Sequence, residues 1–214
     1  MIRKSTGFPL ILGAILVASL AGCSTTTPGA SAPATESPTS SAPVGSSSPT
    51  PTDPPVSAED QDPADPTTWV IDDGAVGLIS LGDDYVETAD RLGDGWTETC
   101  EGLTAWGDPD LNVYFVAGAD GAIETITVEG LIGDPSGGPR TPDGLGLGST
   151  RDEVRAAYPT VEEATPTIGD GTYLRLGVDD SGTGGRFFEF PASDDRVSSI
   201  TLTTRNEPPY EPCA

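Results

Sequence analysis

Four pairs of adjacent aspartates, Asp72-Asp73, Asp83-Asp84, Asp179-Asp180 and Asp194-Asp195, are the side chains here most suited to chemistry. Two carboxylates facing each other across a cleft are what glycoside hydrolysis requires. These pairs instead fall at turns and helix starts, where Asp is favoured for its own backbone hydrogen bonds. Asp108-Pro109-Asp110-Leu111-Asn112 opens like a calcium loop, but Val113 stands where that loop needs Gly and Ala119 where it needs Glu. Asp179 to Gly185 is a hairpin turn first and a weak cation site second. The run Gly144-Leu145-Gly146-Leu147-Gly148 follows no strand of a βαβ unit and precedes an acidic helix, which argues against a nucleotide. The chain contains no His, and Lys4 is its single Lys. The commonest general base and metal ligand is therefore missing, and no Ser has a base to activate it. The expectation is a protein with no catalytic constellation, no metal and no cofactor.

Position in the cell is more legible. Arg3 and Lys4 precede a short apolar run, Phe8 to Ala21, interrupted by Pro9, Gly13 and Ser19. That is the anatomy of a signal peptide, and the run is shorter than the ~20 residues a spanning helix needs. It ends in Leu20-Ala21-Gly22-Cys23, which resembles the lipobox of bacterial lipoproteins. The resemblance implies cleavage after Gly22, so that residues 1–22 are the signal peptide. It also implies a diacylglycerol on Cys23, which would hold the chain on the outer face of the cell membrane. Two acyl chains suffice for stable anchoring. An uncleaved membrane anchor and a general secretory signal with an incidental cysteine are the competing readings.

Cleavage would leave eight Arg against 34 acids, a formal net charge of −26. Nucleic acid and anionic headgroups repel such a chain, so neither is an expected partner. Of the three cysteines, Cys100 and Cys213 remain after Cys23. Two thiols in an oxidising compartment predict one disulfide, closing a loop of roughly a hundred residues worth about 4–5 kcal/mol in the chain-entropy model.

Residues 24 to 66 hold nine Ser, seven Thr and ten Pro and no aromatic residue. A segment with so little to bury is expected to stay disordered, and with Cys23 it forms a tether over 23–66. Its extended reach is on the order of 130 Å. From Trp69 onward aromatic residues, alternating apolar positions and Gly-bearing turns predict one domain over 67–214.

Two segments of that domain echo each other, about 69–133 and about 141–214. Asp73-Gly74-Ala75-Val76-Gly77 leads to Leu81-Gly82, and Asp143-Gly144-Leu145-Gly146 leads to Leu147-Gly148. A capped helix pattern follows each. Asp83 or Asp84 caps Tyr85, Val86, Ala89 and Leu92; Ser149 or Thr150 caps Val154, Ala157 and Tyr158, with Thr150 and Glu153 at capping-box spacing. Asn112–Val128 aligns without a gap on Arg186–Leu202, 74 residues later, as two strands and a turn. A further strand precedes each hairpin, around Leu103–Trp106 and Tyr173–Val178. The predicted class is α+β: two tandem repeats of a helix and three strands, forming antiparallel sheet with the helices on one face.

Period two then assigns the faces. Glu189 is expected to face water, which turns Phe188 and Phe190 inward; by the ungapped alignment Tyr114 and Val116 also turn inward, with Ile126, Val128, Ile200 and Leu202. The opposite face carries Phe115, Phe187, Glu189, Thr125, Thr127, Ser199, Thr201 and Arg175. Two phenylalanines in a Thr-rich open face are a candidate recognition surface, the alternative being cover by loops or by the other half of the sheet.

Gly-led entry, helix and three strands resemble in plan the β-lactamase inhibitory protein family, built from two tandem α/β repeats, and the small outer-membrane-protein-A-like lipoproteins. The resemblance implies an open sheet face that grips a protein partner. The function expected is a non-enzymatic binding or scaffold domain for a protein or envelope ligand, attached to the bilayer through acylated Cys23. An inhibitor or sensor of a secreted enzyme or envelope polymer is the alternative, and a carboxylate-only hydrolase the remote one.

Overall fold

Residues 61–130, 137–177 and 184–213 are described by the structure, a computed structural model. The signal peptide, the lipobox with Cys23, and the tether up to residue 60 lie outside them, as do Asp179 and Asp180.

Entry to the fold is organised by two indoles. Asp65 accepts from the Thr67 amide at 3.2 Å and starts a 3-10 turn, Pro66–Thr68, that delivers Trp69 into the core at 2% exposure. Trp69 stacks on Trp96 with ring centroids 5.7 Å apart. The Trp69 indole donates to the Asp62 carbonyl at 2.7 Å, and that of Trp96 to the Pro63 carbonyl at 3.1 Å. Residues 61–66, assigned by composition to the tether, therefore pack on the domain. Next comes a minimal hairpin, β1 (Ala75–Val76) with β2 (Ile79–Ser80). Its Gly77 has φ +59°, and a Cβ there would sit 2.0 Å from the Trp69 ring. Only glycine meets both conditions.

Helix α1 (Tyr85–Leu92) starts where the Asp84 carboxylate accepts from the Glu87 amide at 2.9 Å. Tyr85, Thr88 and Leu92 form its buried side. Val86, counted with the apolar stripe in sequence, is 63% exposed, because position 86 lies about 100° around the helix from Tyr85. Helix α2 (Arg151–Ala157) has the expected capping box, with Thr150 accepting from the Glu153 amide and Glu153 from that of Thr150.

The remaining strands are β3 (Thr97–Cys100), β4 (Leu103–Gly107), β5 (Leu111–Ala117), β6 (Ile123–Gly130), β7 (Glu162–Ala164), β8 (Thr172–Leu176), β9 (Gly185–Phe190) and β10 (Ser199–Thr203). They form one antiparallel sheet in the order β3-β4-β5-β6-β10-β9-β8-β7. Four strands follow each helix instead of three. The outer pair escapes pattern reading because three of the four β3 residues, and two of the three in β7, are exposed, so neither alternates. Both helices cover the same sheet face, where Tyr85, Leu92 and Val154 join Val113, Phe115, Ile126, Val128, Leu174, Phe188, Ile200 and Leu202 in one core.

Strand register corrects one assignment. Phe115 lies opposite Ile126, and Phe188 opposite Ile200, so Phe115 matches Phe188, 73 residues away. Farther along, Thr127 lies opposite Thr201, at the 74-residue offset. The two hairpins thus differ by one residue, and the β5–β6 ladder shifts between Val116 and Ala117. A slip of one residue exchanges the faces of a strand. Phe115 consequently faces the helices, fully buried against Tyr85 and Trp96, whereas Tyr114 and Val116 lie on the other face.

Candidate binding cleft

The helix-free face is built from every second residue of its strands. Thr125, Thr127 and Glu129 come from β6, Ser199, Thr201 and Thr203 from β10, Phe187 and Glu189 from β9, Tyr173 and Arg175 from β8, and Tyr114 from β5. Of the expected face residues, all but Phe115 share it. Yet the face is not open. Thr125, Thr127, Thr201 and Phe187 are each at most 2% exposed. The hydroxyls of the two central threonine pairs, Thr125 with Thr203 and Thr127 with Thr201, are 2.8 and 3.2 Å apart. Phe187 is packed edge-on by Tyr173 at 5.2 Å, with the Arg175 guanidinium 5.8 Å from its centroid. It serves as a packed layer, not as a free aromatic.

Two segments pass over this face, the β7–β8 connection and the chain after β10. The Thr167 amide donates to Glu207 Oε2 at 3.0 Å and links them. This amide, with the Thr167 hydroxyl, holds the Glu207 carboxyl below its usual range. Farther on, Cys213 is disulfide-bonded to Cys100 on the edge strand β3, with Cα atoms 5.9 Å apart. Between the two segments and the sheet lies a cavity of about 760 Å³, lined by Tyr114, Glu129, Glu189, Ser199 and Thr201 from the sheet. Ile168, Asp170, Arg205, Glu207 and Tyr210 line it from the covering segments.

Glu189 does not face open water. Its Oε1 accepts from the Thr201 hydroxyl at 2.8 Å and from that of Ser199 at 3.3 Å. Burial is the main cause that raises its carboxyl above the usual range; the two hydroxyls oppose this and the charge of Glu129 adds to it. Tyr114 is pushed up to about 12, first by burial, against a hydrogen bond with Thr127. Glu129 and Glu189 lie in one cross-strand row with Ser199 between them. Alternation brings Glu189, Ser199 and Thr201 to one face, but it does not find their enclosure, because the segments that cover them are irregular.

The acid pairs inside the described residues do local work. Asp72 accepts from the Asp73 amide, Asp73 meets Arg186, Asp83 meets Arg91, Asp84 caps α1 and Asp195 meets Arg151. Asp108 accepts from the amides of Asp110 and Leu111, closing a tight turn. Among the described residues, no group of three or more His, Cys, Asp or Glu side chains is placed to hold a metal, and no helix is long and apolar enough to cross a membrane.

No family model and no curated protein matches the chain. Two solved structures are similar in part. A DUF4309 family protein, YjgB, from Bacillus subtilis subsp. subtilis str. 168 is 15% identical, with a TM-score of 0.37 over 51% of this chain and 68% of that one. An extracellular protein containing an SCP domain, from Bacillus anthracis str. Ames, is 14% identical, with a TM-score of 0.32 over 57% of this chain and 43% of that one.

Proposed function

We propose that this chain is a lipid-anchored extracytoplasmic binding protein that holds its ligand between the helix-free sheet face and the C-terminal segment. The observation that carries the reading is the cavity of about 760 Å³ at that place. Its size is that of a ligand pocket, with polar groups converging from one rigid floor. The anchor is Cys23, through the lipobox Leu20-Ala21-Gly22-Cys23. Two tandem α/β repeats account for the sheet order, which runs β3 to β6 and then returns from β10 to β7. The β6–β10 pairing at its centre joins Thr127 to Thr201. The ligand is a protein segment or an envelope component, and an inhibitor or sensor of a secreted enzyme would use the same cleft.

Two measurements test the reading. The natural chain should incorporate labelled acyl groups and stay with membranes, whereas a Cys23→Ala variant should carry no label. Immobilised protein from Ser24 onward should retain a component of envelope extracts that a Tyr210→Ala variant, altered at the cavity wall, does not. Equal retention by both forms would remove the cleft from consideration.

One observation favours a second reading, the carboxylate-only hydrolase. Glu189, with its raised carboxyl, and Glu129 flank Ser199 on the cavity floor. Glycosidases use two carboxyl groups as acid and base, and the acid is one whose environment holds its proton. Turnover of an envelope polysaccharide that vanishes in Glu189→Gln would establish it; its absence across such substrates leaves binding alone.

A further inference from the structure

We infer that the cleft receives an organic cation on an apolar stem, an ammonium or guanidinium such as polyamines and basic peptide side chains carry. This rests on the reading of the cleft as a ligand site. Charge gives the first argument. Among the described lining residues Glu129, Asp170, Glu189 and Glu207 are acidic, and Arg205 is the one base. Arg205 is already engaged by Glu124 at 3.2 Å. The lining therefore carries an excess of acid, and a concave site concentrates such a field on the ligand. The floor gives the second. The Ser199 and Thr201 hydroxyls both bond Oε1 of Glu189, which leaves its second oxygen able to accept from a ligand donor. The rim gives the third, independently of charge. Three large hydrophobic side chains are exposed among the described residues, and two of them, Ile168 at 55% and Tyr210 at 64%, line this cavity. An aliphatic stem covers such side chains while its charged end reaches inward, and a tyrosine ring face itself attracts cations. An anion would meet four acidic side chains.

Calorimetric titration of the chain from Ser24 onward tests the inference, with spermidine and trilysine as cationic probes and chitotriose as a neutral one. At least one cationic probe should bind one-to-one, and Glu189→Gln should weaken it tenfold or more. Binding of spermidine alone assigns a free amine; binding of trilysine alone assigns a basic peptide. Asp90→Asn, on α1 across the sheet, should leave the affinity unchanged. If Asp90→Asn weakens binding as much as Glu189→Gln, the attraction is the general charge of the chain and the inference is overturned. Chitotriose binding that shifts the Ile168 and Tyr210 amide signals, with no cation bound, overturns the cation and keeps the ligand site. If no probe binds or shifts those signals, the cation inference is overturned, and the ligand-site reading falls with it only where Tyr210→Ala also retains envelope components as the natural chain does.

Discussion

Glu189 occupies a position that costs the fold stability near neutral pH. Burial raises its carboxyl above the ordinary 4.5, and Glu129 raises it further. The folded chain therefore holds this proton more tightly than the unfolded chain does. By linkage, the resulting stability is fully present below about pH 4.5 and is lost as pH rises through the raised value. Glu189→Gln keeps an acceptor for Thr201 and Ser199 and removes the charge. We expect the variant to be more stable than the natural chain near pH 7, and its urea midpoint to fall less between acid and neutral pH. A variant less stable by the same margin at every pH would show that the charge is not the cause. Native proteins retain such unfavourable groups where function uses them.

One glycine lets hairpin β1–β2 lie against the Trp69 ring. Gly77→Ala places a left-handed φ on a side-chain-bearing residue, at about 1–2 kcal/mol. Its Cβ also enters the Trp69 ring, and overpacking of this kind adds about 1–3 kcal/mol. Gly82 is the control, with φ +86° and no atom within 4 Å of the place a Cβ would take, so Gly82→Ala meets the backbone penalty alone. Urea unfolding should show Gly77→Ala as the more destabilised by a clear margin; equal losses would mean that Trp69 moves aside freely. Elements with strong local signals were legible in the sequence: both caps to within one residue, and β4, β6, β8, β9 and β10, follow from capping chemistry and hydrophobic period. The face of β5 was not, since a one-residue difference between hairpins leaves no mark in composition while it exchanges Phe115 for Tyr114. The cleft was half legible. Its Thr and Glu floor follows from alternation, but its covering segments, rich in Gly and Pro, have no periodicity from which a position can be argued.

Sheet, covering segments and disulfide make one arrangement in which the chain end is returned to its opposite edge. The segment after Thr203 leaves β10 at the centre of the sheet and reaches β3 at its margin, where Cys213 meets Cys100 across a sequence separation of 113 residues. Closing a loop of that length restricts the unfolded chain by about 4–5 kcal/mol in the chain-entropy model. Cys213→Ser should therefore lower the urea midpoint substantially. A second effect is local to the cleft. The Thr167 amide is held by Glu207, which precedes the disulfide by six residues, so freeing the chain end should loosen this bond ahead of the sheet. Hydrogen exchange in the native state should then speed up at Thr167 in Cys213→Ser, or in the natural chain under reductant, while the Thr127 and Thr201 amides at the sheet centre keep their protection relative to global unfolding. Uniform acceleration at all three would make the disulfide a staple of the whole domain and nothing more. Selective acceleration at Thr167 would make it the fastening of the cleft, and ligand affinity should then fall on reduction even where the sheet stays folded.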